Sequence, residues 1–348
     1  MNVSRRGASL CLLLLFLVLR GACAGQTSEP VQLKIPPGHF VTLNFHDVSK
    51  DVVPVVDSDP YAISTQRLTR FFDWMKTHNW HPVSLGQIIA AHKGKKRLPA
   101  NAVLLSFDDG LESVYSQVFP LLQAFDYPAM VALETRWIER VHSSSKNKAS
   151  RVEKNYIQGA PSAALKKELK SSANKSPNIR KPGKVFYSGQ ELGGGGFLTW
   201  GQIRAMQRSG LVAIATHTQD LHHGVLANPQ GNKEPAAITR IYHPATQTYE
   251  SNQLYLQRVR YDLKFSSHII KKHTGRAPNA VVWPYGALTP EVTHIAHSVG
   301  LKLSFGLGDR HISSVKHIGS LGRFLIKGDP KPAKIEAQVR HALHPGKR

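Results

Sequence analysis

Four short apolar runs in this chain each end in polar residues that can do chemistry. Residues 41–45 run into His46-Asp47, and 102–107 into Asp108-Asp109-Gly110. Residues 211–215 run into Thr216-His217-Thr218, with His222 five positions beyond His217, and 280–282 into Trp283-Pro284-Tyr285-Gly286. Two neutral imidazoles and one carboxylate can hold a divalent cation on one face and leave positions open for water and a ligand. His217 and His222 are close enough in sequence to share such an ion, and one of the two adjacent aspartates supplies the oxygen ligand. The other aspartate points elsewhere and, beside an activated water, would take its proton. His46 supplies the remaining part, a donor to a leaving nitrogen, if a nearby carboxylate keeps it charged near neutral pH. Asp47 is a weak candidate for that carboxylate, because adjacent side chains diverge. The chain has 18 His, and His223, His268, His273, His294 and His297 are read as ordinary core or surface residues.

These groups act together only if the fold gathers them. Apolar runs at 39–45, 102–107, 129–133, 211–216, 280–283 and 301–305 read as strands buried on both faces. Helical patterns lie between them. Ser64 or Thr65 caps a helix bearing Leu68, Phe71, Phe72 and Met75, and Ser84 caps 85–92. A helix over 111–125 is kinked by Pro120. Thr199 starts a helix that stops near Gly210, a long helix over 250–273 ends at Gly275, and Thr289-Pro290 opens one closed by Gly300. Strands alternating with helices, about seven units in all, imply α/β architecture with a parallel sheet forming a closed or nearly closed barrel, where active sites sit at the C-terminal strand ends. Any one Asp-Gly or Pro-Tyr-Gly turn is bland. Four such strand ends, each with a titratable or aromatic residue, are not.

The first 24 residues read as an export signal: Arg5-Arg6, an apolar stretch over 10–19, and Ala22-Cys23-Ala24 before the cut. Lipoprotein processing at Cys23 ranks second. Cleavage removes three arginines and no acid, so 45 Lys+Arg become 42 against 23 Asp+Glu, a balance of +19. It also removes both cysteines, so any metal must be held by His, Asp or Glu. The positive charge does not indicate nucleic acid, because much of the excess lies in one Ser-, Lys- and Asn-rich stretch, 140–184, read as a solvated surface insertion. The Gly-rich stretch 193–196 lacks the Lys-Ser/Thr of a phosphate loop and reads as a flexible loop near the site. The absence of a Gly-x-Ser-x-Gly elbow argues against a serine hydrolase. Adjacent aspartates on a parallel pattern argue against a non-haem iron oxygenase.

Ser106-Phe107-Asp108-Asp109-Gly110 resembles the first motif of the NodB-type polysaccharide deacetylases (carbohydrate esterase family 4), and 217–222 resembles its histidine pair. Phe45-His46-Asp47-Val48, Gly196-Phe197-Leu198-Thr199-Trp200 and Trp283-Pro284-Tyr285-Gly286 resemble the branch that acts on poly-β-1,6-N-acetyl-D-glucosamine, over roughly 38–326. The resemblance implies a distorted (β/α)7 barrel over 25–348 and metal-dependent N-deacetylation of a biofilm exopolysaccharide. Within it, Asp108 would be the base and His46 the acid. Asp109, His217 and His222 would hold zinc, nickel or cobalt. Tyr285 would stabilise the oxyanion through its main-chain amide, and Trp283 would line the sugar groove. Chitin-like oligomers or peptidoglycan remain alternative substrates, and a non-catalytic surface polysaccharide-binding protein is the non-enzyme alternative. The expected location is the periplasm or the cell surface, including the outer membrane through Cys23, with exopolysaccharide export machinery as an expected partner. A C-terminal glycoside-hydrolase activity, found in Gram-negative relatives, is expected to be absent. No residue is assigned to the arginine that precedes Pro-Tyr in the wider family, because Val282-Trp283 stands there.

Overall fold

The computed structural model describes residues 34–52, 59–142, 156–173, 178–179, 181, 183–307 and 312–343. All belong to the unit Leu33–Arg348. The leader read at 1–24 lies outside the described residues, as do 143–155, 174–177, 180 and 182 of the basic stretch. Among the described residues no helix is long and apolar enough to cross a membrane.

The apolar runs form strands β1 (His39–Phe45), β2 (Ala102–Phe107), β3 (Ala129–Leu133), β4 (Val212–Thr216), β5 (Ala280–Val282) and β6 (Leu303–Phe305). They lie side by side and parallel in the order β6-β5-β4-β3-β2-β1. Two further short strands lie on the free edge of β1. β7 (Ile312–Ser314) pairs antiparallel with its first half and β8 (Phe324–Leu325) parallel with its second. The segment between them reaches the opposite edge: Leu321 N donates to Ser304 O at 2.8 Å and Gly306 N to Leu321 O at 2.9 Å. Both edges of the sheet are thereby tied to one stretch of chain, giving a distorted parallel barrel in which β8 and the short pairing of His81–Pro82 with β2 add to the six main parallel strands.

The helices start where the sequence places them. In α1 (Thr65–Thr77) Ser64 caps the N–H of Arg67. In α2 (Leu85–His92) Ser84 and Gln87 form a capping box, which satisfies two donors left open by the first turn. The region around Pro120 forms a π-type turn, Val114–Val118, leading into α3 (Phe119–Phe125). Proline's missing N–H removes one helical bond, and the wider turn absorbs the defect. α4 (Thr135–Val141) follows β3 directly, and α5 (Ala163–Ala173) belongs to the basic stretch. α6 (Trp200–Arg208) carries a Thr199–Gln202 capping box. α7 (Asn252–Thr274) ends at Gly275 in the left-handed conformation, α8 (Pro290–Ser298) begins with proline, and α9 (Pro332–Leu343) is the last element among the described residues.

Side chains alternate across each strand. Phe40, Leu104, Met130, Ala132, Ala215, Ala280, Val282 and Phe305 form one cluster inside the barrel. Val41, Leu43, Phe45, Leu105, Phe107 and Val131 pack outward against α1, α3 and α6. The inner face turns polar toward the C-terminal strand ends, where Asn44, Ser106, Asp108, Glu134 and His217 are all buried.

The stretch 140–184, expected as a solvated insertion, is only partly so. Tyr156, Ala160, Leu165 and Leu169 are buried against Leu254, Tyr261 and Phe265 of α7. The apolar positions of this stretch are few, but they fall on one face and meet a helix that offers an apolar stripe.

Candidate active site

The C-terminal rim encloses a cavity of about 380 Å³ lined by His46, Asp108, Asp109, His217, His222, Tyr285 and Arg323, among others. Strand parity delivers two of these. Asp108 continues the inward series 102, 104, 106, and His217 continues 213, 215. Three non-glycine residues at the rim adopt left-handed backbone: Asp109 (φ 71°), Thr218 (φ 78°) and Tyr285 (φ 58°). Such conformations are sparsely populated and persist where surrounding structure enforces them. After Tyr285, Gly286 also has positive φ, and a Cβ there would sit 2.2 Å from Cβ of Leu307. Only glycine lets the turn pass under that segment.

Asp109, His217 and His222 each aim one ligand atom into a cluster whose atoms all lie within 4.8 Å of one another. His217 Nε2 is 3.3 Å and His222 Nε2 3.4 Å from Asp109 Oδ1. The Nδ1 of His217 lies 2.7 Å from the carbonyl of Val282, so it carries the proton and Nε2 presents a lone pair. Asp109 Oδ1 is buried without a hydrogen-bond donor. Three acceptor atoms thus converge in a buried place with nothing to balance them, and N, N and O donors suit a divalent transition metal. The residues present fit such an ion.

The electrostatics favour positive charge at the cluster. Burial raises the Asp109 carboxyl, but the adjoining imidazole of His217 and the charges of His222 and His46 outweigh it and hold it well below the carboxylate range. Burial lowers the His217 imidazole, and Asp109 and Asp108 more than reverse that, leaving it raised. His222 is pushed down to about 4, by burial first, with His217 adding to it and Asp109 opposing. A neutral His222 is the form that binds metal.

Asp108 sits beside this cluster but is held from another direction. Arg323 Nη1 donates to Asp108 Oδ2 at 2.7 Å and to Asn44 Oδ1 at 2.7 Å. Arg323 is 1% exposed. Burial raises the Asp108 carboxyl, and Arg323 first, then His217 and His46, bring it below its ordinary value. Sequence reasoning left the position of such an arginine unassigned. It comes from just before β8, a two-residue strand with no periodicity to read, in a chain with 45 Lys+Arg.

His46 follows β1 into the same cavity and sets its ring, tilted by 30°, 4.9 Å from that of Tyr61. Asp47 turns away: its Oδ1 accepts from Ser113 Oγ at 2.6 Å and from Val48 N at 2.9 Å. The carboxyls reached by the charge of His46 are those of Asp108, Asp109 and, on the side of Tyr61, the buried Asp59. Burial raises the Asp59 carboxyl, and the N–H of Tyr61 and the charge of His46 oppose the rise.

Tyr285 lines the cavity, 51% exposed, with its ring 4.7 Å from that of His222. Trp283 requires a correction. It is 0% exposed and packs among Val259, Leu263, Val281 and Val292, outside the barrel. Parity decides this, because Val282 points inward and its neighbours outward. The aromatic residues that do line the cavity are Tyr61, Trp137, Phe186, Tyr187 and Tyr285. Burial first, and then the charge of Asp109, push the Tyr187 hydroxyl well above its ordinary value. Phe186 and Tyr187 belong to the hairpin strand Val185–Tyr187, directly after the stretch read as solvated, and nothing local marked them. The 193–196 glycines form a short turn whose Gly196 carbonyl accepts from Glu112 N at 3.1 Å.

Fold and site together define a parallel α/β barrel with a three-residue cluster that could hold a cation and a buried, arginine-held carboxylate on its C-terminal rim. Residues 95–304 match the polysaccharide deacetylase family, and the chain belongs to that family. The de-N-acetylase from Aggregatibacter actinomycetemcomitans aligns with a TM-score of 0.70 and 31% identity, covering 86% of this chain and 99% of that one. The deacetylase domain from Bordetella bronchiseptica aligns at 0.62 and 33%, covering 84% and 97%. The poly-beta-1,6-N-acetyl-D-glucosamine N-deacetylase of Escherichia coli strain K12 is 27% identical over 346 residues, 96% of this chain and 45% of that relative. The chain therefore spans about half the length of the curated relatives it first matches.

Proposed function

We propose that this chain is an exported, metal-dependent N-deacetylase of an N-acetylglucosamine polysaccharide, with poly-β-1,6-N-acetyl-D-glucosamine of the biofilm matrix as its substrate. The observation that carries this reading is the meeting of Asp109, His217 and His222 in one cavity with Asp108 and His46. The names of the relatives support the substrate. The leader composition supports export to the periplasm or cell surface, where exopolysaccharide export machinery is the fitting partner.

Asp109, His217 and His222 would hold the divalent ion, zinc, nickel or cobalt, which supplies Lewis acidity toward the acetamide carbonyl and activates water. Asp108 stays ionised beside Arg323 and accepts the water's proton on Oδ1, the oxygen Arg323 does not hold. The main-chain N–H of Tyr285 is the proposed donor to the charge developing on the carbonyl oxygen. As the carbon–nitrogen bond breaks, His46 gives its proton to the nitrogen. Acetate leaves and the sugar keeps a primary amine. Buried walls keep these charges unscreened, so each interaction counts for more than in water.

The test is acetate release from β-1,6-linked N-acetylglucosamine oligomers, with chitin oligomers and peptidoglycan fragments alongside. Wild type, chelator-treated wild type and Asp109→Asn are compared, and bound metal is measured in each. Loss of both metal and activity on chelation and in Asp109→Asn is expected. Full activity without a bound ion refutes the reading.

A further inference from the structure

The four residues between His217 and His222 set how the two imidazoles face each other, and their peptide groups are held from outside the cavity. Asp262, on α7 and 0% exposed, accepts the N–H of Gln219 on Oδ1 and the N–H of Asp220 on Oδ2, each at 2.8 Å. One carboxylate thus grips two successive peptide N–H groups of the loop. The opposite side of the loop lies on α4. Thr135 N donates to Thr218 O and Arg136 N to Gln219 O, both at 3.2 Å. Thr135 Oγ1 donates to Gln219 Oε1 at 2.6 Å, and Arg136 forms an ion pair with Asp220. The loop's far end is tied by Asn178, whose Nδ2 donates to the carbonyl of His222 at 2.6 Å. Asp262 does not line the catalytic cavity. It lies forty residues past the second histidine in sequence, on a helix with no part in the reaction.

We infer that Asp262 is a positioning residue for the metal site: through the peptide N–H groups of Gln219 and Asp220 it fixes the loop that presents His217 and His222 as a pair. The inference rests on the reading that Asp109, His217 and His222 hold a divalent ion. Its physical basis is that a ligand pair on a flexible loop must lose loop freedom on binding, whereas a preset loop has lost it already. Thr218, left-handed at φ 78°, is the strained residue that such a grip maintains. Groups that orient ligands without touching the metal are commonly worth 10–100-fold in affinity.

The experiment measures zinc dissociation constants for the purified full chain by competition with a chromogenic chelator, with circular dichroism and apo-protein melting recorded in parallel. The variants are Asp262→Ala, Asp262→Asn, Asp109→Asn and Leu68→Ala, the last a core truncation on α1 that sets the effect of destabilisation alone. Asp262→Ala is expected to weaken zinc by about 10–100-fold while remaining folded. Asp262→Asn keeps one acceptor and recovers part of that loss. At saturating zinc, kcat/KM for acetate release returns toward wild type in both. Leu68→Ala lowers melting without moving zinc affinity. Zinc affinity within twofold of wild type in folded Asp262→Ala overturns the inference. So does an equal loss in Leu68→Ala, or a failure of both Asp262 variants to fold. Zinc binding that depends on Asp109 but yields no acetate from any oligomer would sink the deacetylase reading and leave the positioning role standing. Zinc binding indifferent to Asp109→Asn would sink the metal assignment itself.

Discussion

Replacing Arg323 with methionine keeps most of the buried stem and deletes one charge. Its guanidinium lies 2.7 Å from Asp108 Oδ2, so the charge centres are about 4 Å apart. At an effective dielectric of about 20, attraction over that distance is about 4 kcal/mol. A factor of ten in proton affinity is about 1.4 kcal/mol, so the lost attraction corresponds to nearly a thousandfold. Relaxation, entering water and the remaining positive groups reduce this. The sign is firm. Asp108 works ionised, and Arg323 extends the acidic range over which it is ionised. Arg323→Met therefore moves the acidic limb of kcat/KM upward by about one pH unit or more. Activity falls at least about tenfold at mildly acid pH and recovers toward the alkaline plateau. Arg323→Lys retains the charge and lies between. The assay is acetate release from pH 5 to 9 at saturating metal, with metal content measured to separate base tuning from metal loss. An Arg323→Met limb that overlays wild type, while Asp108→Asn is inactive, would show that the arginine does not set the proton affinity of the base.

Trp283→Ala removes a fully buried side chain from the outer core, so it should cost about 3–5 kcal/mol of unfolding free energy. KM should stay unchanged at temperatures where the protein is folded. A raised KM at unaltered stability would return Trp283 to the sugar groove. His223 is pushed down to about 3, by burial first and then by Arg258 and Arg136, against an unfolded value near 6.5. Between those values the unfolded chain binds a proton that the native state does not, so stability is present above about pH 6.5 and is lost as pH falls toward 3. From pH 7.5 to 4.5 this group accounts for about 3 kcal/mol, and His223→Gln should flatten the acid limb of denaturant unfolding by that order. An unaltered limb would mean that His223 is protonated in the native state.

How much of this was legible beforehand depends on the range over which each signal acts. Runs such as Ala102–Phe107 announce themselves as buried strands by composition. Ser64, Ser84, Thr199 and Thr289 cap helices because a short hydroxyl side chain can satisfy first-turn donors a few residues away. Gly275 ends α7 because glycine tolerates φ 79°. These are local effects. Since parallel strands put their C-terminal ends on one rim, finding the strands was enough to gather His46, Asp108, Asp109, His217 and His222.

Only the folded chain decided the rest. Arg323 reaches Asp108 across 215 positions of sequence, and Asp262 reaches the histidine loop across more than forty. A charged residue carries the same local signature whether it is solvated or buried against a partner. Trp283 turned outward because strand parity runs one residue beyond β5, while composition suggested a sugar platform. The 156–173 stretch looked solvated because its few apolar residues are useless until α7 offers a matching stripe. The barrel closes through Leu321, a residue in no regular element. Sequence fixes what a few neighbouring residues can satisfy among themselves. Pairing of distant charges, the inward or outward sense of a side chain past a strand end, and closure of the sheet are settled only when remote segments share one desolvated space.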